Sequence, residues 1–163
     1  MKRLGDNMIS GLDPGVEAPA FDMPLSGGGH IDLTGLRGKI VVLFFYPKDD
    51  TAGCTQEALS FTEKAAEFES LDAVVVGVSR DSVKSHDRFG AKHGLTVRLA
   101  SDADGAVTDR YGVWVEKSMY GRKYMGIERS TVLIDRRGKI FRTWRKVKVA
   151  GHADEVLAAA REI

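Results

Sequence analysis

The sequence predicts an α/β fold with a mixed central sheet and helices on both of its faces. Two continuous apolar runs, residues 40–46 and 73–79, are rich in β-branched or aromatic residues, as strands buried on both sides are. A segment with helical spacing lies between them, which makes a β-α-β unit with parallel strands. Two further apolar segments near the C-terminus flank a Gly-containing turn and add an antiparallel pair.

The N-terminal part begins with residues 1–12, which we expect to form a loose tail. With 163 residues, the chain is long enough for one domain with its own core and too short for two. We therefore expect a single domain over residues 13–163. Prolines at 14, 19 and 24 and the glycine-rich segment 26–29 mark turns at its start and are compatible with a short hairpin.

Two helices are predicted in the first half of the domain. The first covers residues 53–69, because its small and apolar side chains recur at intervals of four and three residues, the spacing of one helix face. These side chains are Cys54, Ala58, Phe61, Ala65 and Phe68. The second covers residues 81–93, with Ser79 or Asp81 as its N-cap and Gly94 as its stop signal.

Shorter elements complete the predicted fold. A strand is expected over residues 97–100 and a helical segment over 104–111. The hairpin strands are 131–135 and 139–144, and a final helix covers about 153–162.

Charge and composition exclude several classes of partner. The 24 Lys and Arg residues nearly balance 23 Asp and Glu residues, so there is no electrostatic reason to expect nucleic acid or an anionic membrane. No apolar run follows the basic start, and none approaches the roughly 18 residues that span a bilayer. We expect a cytoplasmic protein.

Cys54 is the only cysteine of the chain, which excludes an internal disulfide, a CxxC redox pair and a Cys-rich zinc site. The four histidines are scattered without the spacing of metal ligands, and we expect them at the surface or at helix ends. They are His30, His86, His93 and His152. We expect no metal and no cofactor.

The chemistry is expected near Cys54. In open α/β sheets, sites gather at the carboxyl ends of the strands, and the strand 40–46 ends just before Pro47. Cys54 then falls in the first turn of a helix, where unpaired N–H groups and the helix dipole favour a thiolate. The alternative is an inert core residue, because Cys54 also lies on the apolar stripe.

Neighbouring charges oppose a thiolate at Cys54. Lys48 favours it, but Asp49 and Asp50 outnumber that lysine, and Glu57 adds a third carboxylate on the same helix. A reactive Cys54 therefore requires a cation from a distant part of the chain.

These residues resemble the peroxiredoxin family. Pro47-x-x-x-Thr51-x-x-Cys54 matches the Pro-x-x-x-Thr/Ser-x-x-Cys signature of that family. The resemblance extends from about Pro14 to the C-terminus. The chain is similar in particular to the bacterioferritin-comigratory protein, or peroxiredoxin Q, subfamily. It includes the segments 44–57, 78–82 and 144–149.

What the resemblance implies is a thioredoxin fold with an N-terminal extension, and a peroxidase with Cys54 as the peroxidatic cysteine. Cys54 would attack hydrogen peroxide or an organic hydroperoxide and become a sulfenic acid. Arg129 occupies the position of an arginine that family members place against the thiolate. It would supply the distant cation and stabilise charge as the O–O bond breaks.

The resemblance also implies supporting roles. Pro47 fixes the loop and shields the sulfur from solvent. The Thr51 hydroxyl can donate and accept, so it can hold the thiolate and orient the peroxide. The backbone N–H groups of Gly53 and Cys54 add donors, and Glu57 braces the start of the helix.

One departure from the subfamily concerns the second, resolving cysteine. Many members carry it five residues after the first, where this chain has Leu59, and others carry it on the next helix, where residues 81–93 contain none. The sulfenic acid would then be resolved by an outside thiol: glutathione, thioredoxin, a glutaredoxin-like protein or Cys54 of a second copy. Monomer and homodimer are both open, and slow resolution would expose Cys54 to further oxidation.

Two other functions remain open from the sequence. One is acyl transfer by Cys54 with a histidine base, although no histidine is near Cys54 in sequence. The other is a redox-inactive thioredoxin-like binding or holdase domain. The joint presence of Pro47, Thr51, Cys54 and Arg129 favours the peroxidase.

Overall fold

The computed structural model describes residues 12–163 and contains the predicted mixed sheet with helices on both faces. In chain order its elements are β1 Asp22–Pro24, β2 His30–Asp32, β3 Ile40–Phe45, α1 Ala52–Glu63, α2 Ala65–Ser70, β4 Ala73–Ser79, α3 Val83–His93, β5 Arg98–Ser101, α4 Ala106–Arg110, β6 Trp114–Met119, β7 Arg122–Ile127, β8 Ser130–Ile134, β9 Ile140–Trp144 and α5 His152–Ala160. The predicted tail, residues 1–12, lies outside the described residues except for Leu12, which is buried and whose carbonyl accepts a hydrogen bond from Thr143 Oγ1 at 3.0 Å.

The central sheet has five strands in the order β5-β4-β3-β8-β9. Strand β3 pairs in parallel with β4, and β4 in parallel with β5, so the predicted β-α-β unit is confirmed. Strands β8 and β9 form the predicted antiparallel hairpin, and β8 joins it to β3. Strand β3 therefore lies at the centre, and its carboxyl end opens onto the loop that leads to Cys54.

The two faces of β3 pack into separate apolar cores. Val41, Leu43 and Phe45 lie in one core, with the N-terminal segment and the residues around α4. Val42 and Phe44 lie in the other, with apolar side chains of α1, α2, α3 and α5. All six residues of β3 are buried, as its continuous apolar run predicts.

The helices differ from the prediction at two points. The helix predicted over 53–69 is divided at Lys64, whose backbone (φ −100°, ψ 7°) leaves the helical conformation between α1 and α2. Helix α3 is capped by Ser82, whose hydroxyl accepts from Ser85 N, and not by Ser79 or Asp81. The predicted stop is correct, because Gly94 is left-handed at φ 63°.

Strands β6 and β7 form a second hairpin that the sequence pattern did not predict. They pair with each other in register from Trp114 opposite Ile127 to Met119 opposite Arg122. The turn is Tyr120 and Gly121, with φ of 51° and 79°. The short N-terminal hairpin of β1 and β2 is present. Among the described residues, no helix combines the length and apolar character that a membrane crossing requires.

Candidate active site

Cys54 lies at the start of α1, close to the carboxyl end of the central strand. Strand β3 ends at Phe45, the loop 47–51 follows, and α1 begins at Ala52, so Cys54 is the third residue of the helix. Thr51 is the N-cap in an extended conformation. Cys54 is 1% exposed and packs in the core that contains Phe61 and Phe68. Both sequence-based expectations, a helix start and an apolar stripe, therefore hold for the same residue.

Arg129 contacts the sulfur from the segment between β7 and β8. Its Nη2 lies 3.4 Å from Cys54 Sγ, and its Nη1 donates to Glu57 Oε1 at 2.7 Å. Burial disfavours the charged guanidinium, but Glu57 and then Cys54 outweigh burial and raise the pKa of Arg129, so it stays charged. The distant cation that the charge argument required is present at the sulfur.

Glu57 is the carboxylate that accepts a hydrogen bond from Arg129. It is 1% exposed, and its second oxygen, Oε2, has no hydrogen-bond partner among the described residues. Burial raises the pKa of Glu57 to about 7, and Arg129 offsets only part of that effect. Glu57 therefore bonds the guanidinium through Oε1 and keeps its proton to a higher pH than an exposed glutamate does.

The other predicted residues lie in the loop before α1 and in its first turn. Pro47 is half-buried directly after the buried Tyr46. The Thr51 hydroxyl donates to the carbonyl of Lys48 at 2.9 Å and makes no capping bond to α1. With its hydrogen used in this way, its lone pairs are left to accept from a bound molecule. Gly53 lies against Arg129 Nη2.

The charges of the two acidic loop residues, Asp49 and Asp50, are compensated by side chains of helix α3. Asp50 Oδ2 accepts from Lys92 Nζ at 2.7 Å, and its Oδ1 lies 2.8 Å from His93 Nε2. These bonds lower the pKa of Asp50. The partners lie 42 and 43 residues further along the chain, so no local sequence pattern indicates them.

Asp49 belongs to a buried polar cluster between the loop and α3. Its Oδ2 lies 2.7 Å from His86 Nδ1 and accepts from Ser85 Oγ, and its Oδ1 accepts from Tyr46 OH at 2.6 Å. Burial acts to raise the pKa of Asp49, but the bonds from His86 and Tyr46 lower it overall. His86 Nε2 faces the carbonyl of Ala100 at 3.0 Å and so carries a proton.

The donor atoms of Asp49, Asp81 and His86 lie within 4.8 Å of one another, a spacing that a metal ion can use. Each group is already engaged in protein hydrogen bonds. Asp81 Oδ2, for example, accepts from the Asp49 N–H at 2.9 Å and from Ser79 Oγ at 2.6 Å. The donor set therefore fits a hydrogen-bonded cluster that fixes the loop to α3.

The expectation that the histidines lie at the surface or at helix ends is wrong for His86, which is buried within α3. The expectation is correct for the other three, because His30 is exposed, His93 ends α3, and His152 begins α5 with its side chain buried. His152 Nε2 lies 2.8 Å from Thr131 Oγ1, and burial lowers its pKa to about 4. The burial of His86 and His152 was not predicted, because a histidine on an apolar face has no distinct sequence pattern.

Each histidine has a polar partner other than Cys54. His30 pairs with Asp22, His93 with Asp50, and the two buried histidines with Asp49 and Thr131. The geometry thus gives Cys54 a guanidinium and not an imidazole as its neighbour, which disfavours acyl transfer by a Cys–His pair.

Known proteins resemble the chain over most of its length. Residues 14–143 match the AhpC/TSA family. The chain is 51% identical to peroxiredoxin Bcp of Xanthomonas campestris over 153 residues, which covers 91% of this chain and 96% of that protein. It is 41% identical to peroxiredoxin Bcp of Bacillus subtilis over 152 residues, with 93% and 97% covered.

A solved structure is similar over the same range. It is that of the Xanthomonas campestris bacterioferritin comigratory protein, studied for its alkyl peroxide reduction activity, with a TM-score of 0.83, 46% identity, and 94% of this chain and 93% of that chain covered. The overlap confirms the thioredoxin fold that the resemblance implied. The chain therefore belongs to the AhpC/TSA family of peroxiredoxins, with Bcp and peroxiredoxin Q proteins as its relatives.

Proposed function

We propose that this chain is a thiol-dependent peroxidase that reduces hydrogen peroxide and organic hydroperoxides through Cys54. The observation that carries this proposal is the 3.4 Å contact between Arg129 Nη2 and Cys54 Sγ in the first turn of α1. A guanidinium at this distance can donate to the sulfur and to the peroxide oxygens and stabilise negative charge on them during the reaction. An inert core cysteine has no need of a partly buried cation at its sulfur.

The reaction has a simple balance of atoms. The Cys54 thiolate attacks one oxygen of the hydroperoxide, an S–O bond forms, and the O–O bond breaks. Cys54 is oxidised to the sulfenic acid, and the other oxygen leaves as hydroxide or alkoxide, which takes up a proton to give water or alcohol. Negative charge moves from sulfur to the leaving oxygen, and a guanidinium with several N–H donors can stabilise the charge on both atoms.

Three neighbouring residues are proposed to position the peroxide. Thr51 would accept the hydrogen of the hydroperoxide, since its own hydrogen is used by Lys48. The backbone N–H groups of Gly53 and Cys54, in the first turn of α1, would donate to the peroxide oxygens. Pro47 offers no N–H of its own and would keep water from the sulfur.

An external thiol completes the cycle. Cys54 is the only cysteine, so the sulfenic acid cannot form a disulfide within the chain. A reductant thiol would attack Sγ, release water and form a mixed disulfide, and a second thiol would then release Cys54. We propose thioredoxin, glutathione or a glutaredoxin-like protein as this reductant, and the cytoplasm as a compartment that supplies reduced thiols. Cys54, Arg129 and Thr51 lie on one chain, so either a monomer or a homodimer is active.

The experiment that tests the function is the rate of thiol loss when reduced protein is mixed with hydrogen peroxide or an alkyl hydroperoxide. We expect a rate far above that of free cysteine, and a loss of about 10²–10³-fold in Arg129→Ala, as for removal of a fixed transition-state donor. Arg129→Lys, which keeps the charge without the planar fork, is expected between the two.

The matched control is Arg145→Ala. Arg145 is a neighbouring arginine that bonds Glu128 at 2.8 Å, and its removal is expected to leave the rate near that of the wild type. A wild-type rate equal to that of free cysteine would make Cys54 an inert core residue. The redox-inactive binding domain would then be the better interpretation.

A further inference from the structure

The β6–β7 hairpin carries most of the exposed apolar surface of the protein. Six large apolar side chains are exposed in the part of the chain that the structure describes, and four of them lie on this hairpin. The four are Met119, Tyr120, Tyr124 and Met125. In the described part of the chain, β6 and β7 form a two-stranded sheet that is separate from the central sheet. Clustered exposed apolar groups rimmed by charge mark interaction sites.

The strand register separates the hairpin into two different faces. Residues directly opposite each other in an antiparallel pair point to the same side, and Lys117 is opposite Tyr124 while Met119 is opposite Arg122. We call this side the Lys117 face. It consists of Val115, Lys117, Met119, Arg122, Tyr124 and Gly126. It carries two cations and no carboxylate, whereas the reverse side includes Glu116, Lys123 and Met125.

The Lys117 face is connected to the sulfur of Cys54 through Arg129. Strand β7 ends two residues before Arg129, the residue that contacts Sγ. The stem of Lys117 lies across Gly126, where a Cβ atom would be 3.3 Å from Lys117 Cδ. Partial burial, and then the charge of Arg129, lower the pKa of Lys117, and the charges of Cys54 and of Glu128, which lies outside the face, act on it in the opposite direction. The ammonium of Lys117 is thus within electrostatic range of the reacting sulfur.

The tip of the hairpin presents an aromatic ring to solvent. Tyr120 is 98% exposed and has a φ of 51°, a conformation in which a bulky residue is strained. Asn or Asp is the usual residue before Gly in such a two-residue turn. A tyrosine that is both strained and fully exposed is poorly explained by folding, and Tyr is a frequent anchor in protein interfaces.

We propose that the Lys117 face is the docking surface for an acidic protein dithiol that reduces oxidised Cys54. This inference rests on the proposed function. The partner carries thiols because Cys54 has no cysteine partner in the chain. It is acidic because the face offers Lys117 and Arg122 without a carboxylate.

The length of the face indicates a protein as the partner and not a small thiol. Each strand has six residues and is therefore about 20 Å long, and the exposed apolar groups lie toward its far end. A small thiol bound at the sulfur would reach Lys117 and leave Met119 and Tyr120 uncovered. After docking, the partner's thiolate attacks Cys54 Sγ of the sulfenic acid and hydroxide leaves as water. The partner's second thiol then attacks the partner's sulfur in the mixed disulfide. A disulfide forms within the partner, and the Cys54 thiolate is released.

The hairpin offers a matched pair of variants. Met119 and Met125 are exposed to 55% and 50% on opposite faces, and Arg122 and Lys123 are adjacent exposed cations on opposite faces. The double variant Met119→Glu with Arg122→Glu changes the Lys117 face. Its control, Met125→Glu with Lys123→Glu, makes the same change of charge on the reverse face.

The test measures reduction of a mixed disulfide made chemically between Cys54 and thionitrobenzoate, which is a single-site probe because the chain has one cysteine. The reductants are reduced thioredoxin of net negative charge, glutathione and dithiothreitol. We expect the Lys117-face variant to slow thioredoxin at least tenfold and the control variant less than twofold, with dithiothreitol unchanged in both. We also expect added salt to reduce the difference between the variants.

Three outcomes would overturn the proposal. Equal rates for the two double variants would mean that this face is not the docking surface. Equal slowing of glutathione and thioredoxin would make the face a site for a small anionic thiol. A wild-type dimer that the Lys117-face variant converts to a monomer would show that a second copy covers it. Because the mixed disulfide needs no peroxide, failure of peroxide turnover would overturn the proposed function and leave this test valid.

Discussion

At the start of α1, Gly53 lacks a side chain at the place that the guanidinium of Arg129 approaches. A Cβ atom on Gly53 would lie 3.2 Å from Arg129 Nη2, the atom that reaches Cys54 Sγ. A separation of that size is shorter than an ordinary contact between these atom types, so the guanidinium would have to move. The glycine therefore leaves the space through which Arg129 reaches the sulfur.

Gly53→Ala is expected to lower the peroxidation rate without lowering stability. The methyl group displaces Arg129 Nη2 by a few tenths of an ångström, and we expect a loss of about tenfold, less than for Arg129→Ala. Ala is a better helix former than Gly by about 1 kcal/mol, so the free energy of unfolding stays equal or rises. Thiol loss with peroxide and urea unfolding measure the two effects. An unchanged rate would mean that Arg129 tolerates the methyl group and that the missing side chain at position 53 is not needed for its approach to the sulfur.

Glu57 makes the stability of the protein depend on pH in an unusual direction for a carboxylate. Its pKa is raised from 4.5 to about 7, so between these values the unfolded chain loses the proton while the folded chain keeps it. Folding is then opposed increasingly as the pH rises from about 4.5 to 7. The full effect is at most about 3 kcal/mol, because each tenfold difference in proton affinity between the two states corresponds to about 1.36 kcal/mol.

Glu57→Gln removes this dependence, because the amide stays neutral. The quantity to measure is the free energy of unfolding of the wild type minus that of the variant. We expect this difference to fall by up to about 3 kcal/mol as the pH rises from 4.5 to 8. The control is Glu63→Gln, an exposed position on the same helix, for which the difference should stay flat. A flat difference for Glu57→Gln as well would show that Arg129 fully compensates the carboxylate.

The buried cluster around Asp49 gives a prediction that separates charge from shape. Asn at this position can still accept from Tyr46, and its amide can donate to His86 Nδ1, because His86 already has a proton on Nε2. Ala removes the acceptor of Tyr46, Ser85 and His86 Nδ1, and leaves only the 3.4 Å contact between Tyr46 OH and His86 Nδ1 in its place. We expect a loss of about 3 kcal/mol in the free energy of unfolding for Asp49→Ala, and less than half of that for Asp49→Asn.

Urea unfolding at neutral pH measures both variants, and peroxide kinetics show whether the loop keeps its position. Equal losses for the two variants would mean that the ionic attraction between Asp49 and His86 holds the loop, and not the pattern of hydrogen bonds. Asp49 is also expected to weaken the fold in acid. Its pKa is lowered, so the stability that it provides is lost as the pH falls below the ordinary value of 3.8.

The sequence was sufficient where a local pattern has one structural solution. The apolar runs of β3 and β4 and the Gly-containing turn between β8 and β9 each predicted the observed strands. The break at Lys64 was not visible, because the apolar stripe continues across it from Phe61 to Phe68. The β6–β7 hairpin was missed because its strands are mostly exposed and its turn has Tyr in place of Asn or Asp.

The sequence predicted that the candidate site needs a cation. It did not predict how the charges of Asp49 and Asp50 are compensated. Local charges near Cys54 showed that a cation was required, and the family resemblance indicated Arg129. That α3 neutralises Asp49 and Asp50 depends on tertiary packing across 36 to 43 residues. No spacing in the sequence encodes those pairs.

The fate of Cys54 in the absence of a reductant follows from its isolation. With one cysteine in the chain, the sulfenic acid meets no internal thiol. We expect excess peroxide to convert Cys54 to sulfinic acid, and peroxide with added glutathione to give a mixed disulfide. Mass spectrometry of the intact protein distinguishes these products, and Cys54→Ser should show neither. Recovery of only the unmodified thiol would contradict the peroxidase.

Leu59→Cys tests whether α1 opens after oxidation. Positions 54 and 59 lie in the same helix, five residues and about 7.5 Å apart along its axis. That exceeds the separation of about 7 Å up to which two Cα atoms can be bridged by a disulfide, so the bond can form only if α1 unwinds. We expect the variant to form an internal disulfide with peroxide and to be protected from sulfinic acid. Sulfinic acid at Cys54 with a free Cys at position 59 would instead mean that α1 stays closed, and that the external thiol reaches Sγ in the folded site.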